Sequence, residues 1–340
     1  MSNRDAKIGI IYTGGTIGGS GLDLIDGKLD EQAFLKMLVE KEVVADTDKI
    51  EFRCPLVKFS ECMMPSDWPL IAREVASLLS EVSGVIVLHG TDTLCYTAAA
   101  VAFMLGDVPV PVMFTGANIP FSREGSDAQK NIVDSISAVR SGEFSGVCIC
   151  FAGEVHSAVR TRKVRTSGNS YESVGCSPLG SVVWSAVASS YAVNTQNAAY
   201  YQNVKKASSF LIDSNVSLYK MYPGFMASSV SNDNSKAIIL ELYNDGTGPV
   251  GLGDSYSLDV NIAKIDKPVF ATSQQLCSVE LDTYGSSGEL RKAGLTGLKT
   301  MLTEVAIVKL MWLLGCGFKG QQLKDKMLED IRGEFGFDNE

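Results

Sequence analysis

Five short apolar runs in the first half of the chain, residues 7–12, 50–56, 84–88, 111–115 and 146–151, read as buried strands. Between them apolar residues recur at helical spacing over 31–42, 66–81, 93–105 and 125–140. Strand, helix and strand in that alternation predict βαβ units and an α/β fold. Its sheet is mostly parallel, with ligands expected beyond the carboxyl ends of the strands. The stretch 189–209, SSYAVNTQNAAYYQNVKKASS, is polar without a sustained period and reads as a linker. Beyond it the alternation resumes on a smaller scale, with strands at 216–222, 236–242 and 268–273. Helical patterns there cover 255–265 and 300–314, with a polar amphipathic helix near 321–332. The predicted organisation is a large N-terminal α/β domain over 1–190, a linker over 191–211 and a smaller C-terminal α/β domain over 212–340.

Two of the predicted strands end in turns with unusual chemistry. The first, in KIGIIYTGGTIGG (7–19), leaves through Thr-Gly-Gly-Thr. A phosphate-binding P-loop needs a lysine after its last glycine, and none follows here. A dinucleotide fingerprint starting at Gly19-Ser20-Gly21 would need glycine where Leu24 stands, so both phosphate readings fall. What remains is the hydroxyl of Thr13 at the end of a central strand, beside Gly14 and Gly15, which open backbone conformations denied to other residues. The plainer reading is a glycine-rich turn capped by threonine.

The second turn is His89-Gly90-Thr91-Asp92-Thr93, between a strand and a strongly helical run. Thr91 or Asp92 could serve simply as a helix N-cap. Two neighbouring strands that deliver Thr-Gly turns to one sheet edge would, however, bring Thr13 and Thr91 together. A threonine hydroxyl needs a base to become a nucleophile. The most basic stretch of the chain, VRTRKVRT (159–166), offers Lys163, which on reaching Asp92 would complete a Thr91–Asp92–Lys163 relay. A solvated charged loop is the competing reading.

Composition narrows the choice. At 340 residues, 45% hydrophobic and 20% charged, the chain is an ordinary globular protein too long for one comfortable core. Its net charge of -9 argues against a nucleic-acid partner. Eight cysteines without a CxxC pair make no disulfide framework; Cys148 and Cys150 alternate and would share one strand face as reduced thiols. With only two histidines, His89 and His156, a Ser-His-Asp site would have to use one of them and a histidine-rich zinc site cannot be built. No metal or cofactor is expected. The opening MSNRDAKIGI lacks the apolar core of a signal peptide, and no run reaches the roughly 18 apolar residues of a membrane span. A cytoplasmic location without membrane association follows as the expectation.

The pair TGGTI (13–17) and HGTDT (89–93) resembles the bacterial L-asparaginase family, and in particular its type I, cytoplasmic branch. FTGANIP (114–120), KMYPGF (220–225) and ATSQQ (271–275) extend the likeness over nearly the whole chain. The resemblance implies a two-domain α/β hydrolase that releases ammonia from L-asparagine, and often from L-glutamine, through an acyl-enzyme. It implies Thr13 as nucleophile and Thr91, Asp92 and Lys163 as a second triad. Ser60, three residues before Met63 in SECM, would hold the substrate α-carboxylate, with Gly90 lining the site. Glu61 and Asp92 would share the α-ammonium. No cofactor is implied, and the assembly would be a homodimer or homotetramer.

The pattern also breaks. The family carries a tyrosine on a loop about ten residues after the nucleophile, but GSGLDLIDGKLDE (19–31) has none, and Asp23 or Leu24 stands there. Tyr12 or another loop remains open as its source. Arg162 and Glu241 stand where type I members bind a regulatory asparagine, so no allosteric site is expected. Two alternatives stay open. One is the ammonia-generating subunit of a tRNA-dependent amidotransferase, which shares both threonine motifs but carries an extra N-terminal domain, whereas here the first strand begins near Lys7. The other is a non-catalytic asparagine-binding sensor of the same fold, for which the missing tyrosine speaks.

Overall fold

Residues 7–18, 31–45, 48–185, 190–195 and 209–336 are described by a computed structural model, and they fall into two units. The first unit, Met1–Ser173 with Ser177–Phe210, opens with β1 (Ile8–Tyr12), α1 (Glu31–Glu40), β2 (Ile50–Arg53), α2 (Trp68–Leu78) and β3 (Val85–Leu88). It continues through α3 (Leu94–Leu105), β4 (Pro111–Thr115), α4 (Ala128–Ser141), β5 (Gly146–Phe151) and β6 (Glu154–Ser157). A hairpin of β7 (Thr161–Lys163) and β8 (Tyr171–Ser173) follows, then β9 (Gly180–Ser185) and β10 (Ser190–Thr195). The result is the α/β architecture with a mostly parallel sheet that the alternation of strands and helices predicts.

Eight strands form one sheet in the order β10-β9-β6-β5-β4-β3-β1-β2. β1 to β5 run parallel, and β6, β9 and β10 extend the sheet antiparallel. Strand order therefore reverses between β1 and β3, whose outgoing connections leave in opposite directions. A crevice at the carboxyl ends of those two strands is the consequence.

Side-chain alternation decides which face each helix covers. Ile8, Ile10 and Tyr12 of β1 pack with Phe34 and Leu38 of α1 and Ile132 and Ile136 of α4. On the opposite face Gly9 makes room for α2, since a Cβ there would lie 2.9 Å from a Leu78 methyl. α3 is apolar all round and almost wholly buried, as LCYTAAAVAFML requires. Cys148 and Cys150 share the face of β5 that joins the main core, and burial pushes the Cys150 thiol up to about 12. All eight cysteines are free thiols.

The polar stretch read as a linker is corrected at its start. Ser190–Thr195 is β10, paired antiparallel with β9 from Ser190↔Ser185 to Thr195↔Gly180. Tyr191 and Val193 are half-buried against the core, while Ala192 and Asn194 are exposed. This is a period-2 pattern diluted by an edge position, too weak to read against its polar flanks. Residues 196–208 lie outside the described residues.

The second unit, Val174–Cys176 with Leu211–Glu340, holds β11 (Val216–Lys220), α5 (Ser228–Ser231), β12 (Ala237–Leu242), α6 (Leu258–Ile262) and β13 (Val269–Ser273). After these come α7 (Gly285–Lys292), β14 (Leu295–Gly297), α8 (Thr303–Gly315) and α9 (Gly320–Leu328). Its four parallel strands follow chain order, β11-β12-β13-β14. α7 escapes the apolar pattern because only Ser287 and Leu290 of GSSGELRK are buried.

Within this unit the apolar α8 carries one buried cation. Lys309 donates to the carbonyls of Met327 (3.0 Å) and Glu329 (2.6 Å) and pairs with Glu334 at 2.5 Å, both side chains being fully buried. Burial works against the Glu334 carboxylate, yet the Lys309 ammonium outweighs it and holds its pKa below the usual range. Lys309 thus clasps the chain that follows α9 onto α8. Lys309→Ala should destabilise the protein by about 3–5 kcal/mol, because it strands a buried carboxylate. Lys309→Met combined with Glu334→Leu should lose far less. Urea unfolding followed at Trp312, which lies buried on α8, checks both; a single variant within about 1 kcal/mol of wild type would refute the clasp.

Candidate active site

The two threonine turns leave β1 and β3 at the reversal of strand order, and glycines let them touch. Gly14 and Gly15 take φ of 106° and 86°, a left-handed region that side chains disfavour. A Cβ on Gly15 would lie 2.4 Å from both the Cα and N of Gly90, and one on Gly14 2.2 Å from the carbonyl oxygen of Lys58. Gly90 in turn has no room for a Cβ, which would fall 2.7 Å from that of Ser60. Backbone is thus packed on backbone across three segments.

On the second turn the side chains converge. Lys163 Nζ donates to Thr91 Oγ1 at 2.8 Å and to Asp92 Oδ1 at 2.6 Å. Ser60 is buried against the same turn; its hydroxyl accepts from the Asp92 N–H (3.2 Å) and its carbonyl from the Thr93 hydroxyl (2.7 Å). The Ser60 segment is itself stapled by Lys58, which donates to both carboxylate oxygens of Asp67 at 2.8 Å. Asp92 is 61% exposed, so an incoming cation can reach it. Glu61 is exposed on the 3-10 turn Ser60–Cys62, and among the described residues its side chain has no ion pair.

Thr13, expected as the attacking hydroxyl, does not join this group. It is completely buried, and its hydroxyl and N–H both donate to the Leu88 carbonyl at 3.0 Å. Its own carbonyl accepts from the Lys58 N–H at 3.0 Å. A residue so committed locks β1 to β3 and to the Ser60 segment; it presents nothing to a ligand. Thr16, which sequence reasoning passed over, begins the 3-10 turn Thr16–Gly18 and keeps part of its surface accessible. Threonine repeats on both sides of Gly14-Gly15, and burial tells the two apart.

Lys163 arrives on the β7–β8 hairpin, where it is the cross-strand partner of Tyr171. Tyr171 was not foreseen either. It is buried, and its hydroxyl donates to the Thr91 carbonyl at 2.7 Å. Tyr12 is built into the core, its ring 5.4 Å from that of Phe34 and its hydroxyl against Gly18. The expected absence of a lid tyrosine concerns 19–30, which lie outside the described residues. Arg162 sits on β7, while Glu241, in the second unit, is held by Lys220 (3.1 Å) and the Thr303 hydroxyl (3.0 Å).

Neither histidine is a free base. His89 donates its Nδ1–H to the Gly90 carbonyl at 2.7 Å, and Nε2 has no partner among the described residues. His156 meets the Ser173 hydroxyl through Nδ1 at 2.8 Å, with Nε2 3.6 Å from Glu154, beyond hydrogen-bond reach. Burial lowers the pKa of each to about 4, so both imidazoles are neutral near pH 7.

Residues 7–197 match the asparaginase N-terminal family. A glutamyl-tRNA(Gln) amidotransferase subunit from Thermoplasma acidophilum is 29% identical to the chain, over 97% of this chain and 80% of that protein. The solved structure of the thermostable L-asparaginase from Thermococcus kodakarensis is similar at 27% identity and a TM-score of 0.85, covering 97% and 99% of the two chains. L-asparaginase I of Vibrio cholerae O1 superposes with a TM-score of 0.82 over 98% and 100%; at 24% identity it speaks for the fold alone. No helix among the described residues is long and apolar enough to cross a membrane.

The neutral histidines generate a pH prediction. Between the folded value near 4 and the unfolded value of about 6.5, the unfolded chain binds more protons, so stability rises with pH across that window and is lost on acidification through it. Near pH 5 the two groups together should contribute an uptake approaching two protons on unfolding. His156→Gln should lower the slope of unfolding free energy against pH by about one proton. An unchanged slope in denaturant titrations from pH 4.5 to 6.5 would show that His156 is not held neutral.

Proposed function

The chain belongs to the asparaginase family, and from that premise we propose that it hydrolyses the side-chain amide of L-asparagine to L-aspartate and ammonia through a threonine acyl-enzyme, with L-glutamine as a side substrate. The observation that carries the reading is the hydrogen-bonded set of Lys163, Thr91 and Asp92 on a turn packed directly against Gly15, the residue before Thr16. The Thr16 oxygen attacks the amide carbon, and its proton passes to the Thr91–Lys163 pair, which returns a proton to the departing ammonia. Backbone N–H groups of the two glycine turns stabilise the oxyanion of the tetrahedral intermediate. Water, activated by the same pair, then cleaves the ester and restores the Thr16 hydroxyl.

The remaining residues recognise the amino-acid end. Ser60, whose oxygen already accepts the Asp92 N–H, keeps its own proton to donate to the α-carboxylate. Asp92 and Glu61 place two exposed carboxylates beside it for the α-ammonium, and Gly90 keeps the floor flat. The reading extends to the type I branch, a cytoplasmic location and a homodimer or homotetramer. It also includes a large N-terminal catalytic domain joined to a smaller C-terminal one.

The likeness to an amidotransferase component supports a second reading, in which the same chemistry supplies ammonia to a partner protein. Purified protein separates the two: hydrolysis of free L-asparagine at full rate without any partner favours the first, and release appearing only with a partner protein and charged tRNA favours the second. In the same assay Thr16→Ala should abolish turnover by at least about a thousandfold and Lys163→Met by roughly 10²–10⁴-fold. Thr13→Val should instead mainly reduce stability, by about 1–2 kcal/mol. If Thr16→Ala kept near-normal ammonia release while Thr13→Val lost it, the assignment of the nucleophile would be reversed.

A further inference from the structure

The β7–β8 hairpin does two things to one residue. Its Lys163 donates to the Thr91 hydroxyl, and the cross-strand neighbour of that lysine, Tyr171, donates to the Thr91 carbonyl at 2.7 Å. Both ends of Thr91 are therefore gripped by adjacent side chains of the same short ladder. We propose that Tyr171 is a positioning residue for the reaction, fixing the Thr91 peptide so that its hydroxyl stays in register with Lys163. The inference rests on the hydrolase reading above.

The surroundings of Tyr171 suit that task. Its ring is almost completely buried and meets Phe151 edge-on, with centroids 5.0 Å apart, so the hydroxyl has little freedom to wander. Burial, with Cys95 and Asp92 adding to it, raises its pKa well above 10, and the group stays a donor at any working pH. Thr91 lies outside α3, so its carbonyl has no place in that helix's ladder and depends on an outside partner.

The far end of the hairpin is anchored independently. Asn118 donates to the Gly168 carbonyl (3.2 Å) and accepts from the Ser170 hydroxyl (2.9 Å), while its own N–H is held by Asp127 at 3.0 Å. Asn169 donates to Glu154 at 2.6 Å, and Ser173 meets His156. These contacts hold the hairpin to the sheet whether or not the Tyr171 hydroxyl is present. Removing that hydroxyl should therefore disturb Thr91 without detaching Lys163.

Tyr171→Phe deletes a single oxygen and isolates the effect. Wild type and variant are compared for L-asparagine turnover, thermal midpoint and the ¹⁵N resonance of Lys163 Nζ, assigned with Lys163→Arg. The expected result is a kcat lower by about ten- to a hundredfold, KM within about twofold and a displaced Lys163 resonance in a folded protein. A kcat within twofold of wild type with an unmoved resonance would overturn the proposal. So would a fall in thermal midpoint alone, because a merely structural tyrosine leaves the lysine signal and the split between kcat and KM untouched. Should wild type hydrolyse neither asparagine nor glutamine, the hydrolase reading fails, and the lysine resonance by itself decides whether Tyr171 positions Thr91.

Discussion

The contact on which this site depends is backbone against backbone. Gly15 rests on Gly90 and Gly14 on Lys58 at distances that leave no space for a methyl group, and the Ser60 side chain closes the other side of Gly90. Any side chain at these glycines would push the packed segments apart. The reversal of strand order between β1 and β3 makes the crevice, and the glycines let the two turns close on one another at its mouth.

Around that contact the polar groups divide the labour. Thr13 spends its hydroxyl, its N–H and its carbonyl on tying β1 to β3 and to the Ser60 segment. His89 spends its one N–H on the Gly90 carbonyl and stays neutral. Both residues brace the turns from within the core. Thr91, Asp92 and Lys163 form one hydrogen-bonded cluster, and Thr16 on the neighbouring turn keeps part of its surface accessible. A lysine is a reasonable partner here because the only imidazoles of the chain are buried where protonation is unfavourable.

The antiparallel extension of the sheet explains how the lysine arrives. β5 turns back through Ala152 and Gly153, both at positive φ, into β6, and the chain then makes the β7–β8 hairpin before rejoining the sheet as β9. Polar clasps from Asn118, Glu154 and His156 hold the hairpin, and Phe151 backs its tyrosine. A short two-stranded ribbon is marginal by itself. Here packing and hydrogen bonds to the large sheet fix it, and with it Lys163.

Much of this was written in the order of the residues. The α/β class, the parallel strands from β1 to β5, and the Thr91–Asp92–Lys163 grouping are legible because each depends on local period, on turn residues or on the chemistry a weak nucleophile requires. The elements that escaped depend on distant partners. β7 and β8 are three residues each, shorter than any period can register, and β10 shows its alternation only when set against β9. The choice between Thr13 and Thr16 is a matter of burial: two identical side chains flank the same glycine pair, and only the placement of Leu88 beside the first consumes its hydroxyl. Tyr171 is likewise an ordinary strand tyrosine until the hairpin folds over α3 and sets its hydroxyl on the Thr91 carbonyl. The sequence alone determined which elements form and which polar groups are at hand; tertiary structure decided which hydroxyl is spent and which stays accessible, because exposure and hydrogen-bond commitment exist only once strands 75 residues apart lie side by side.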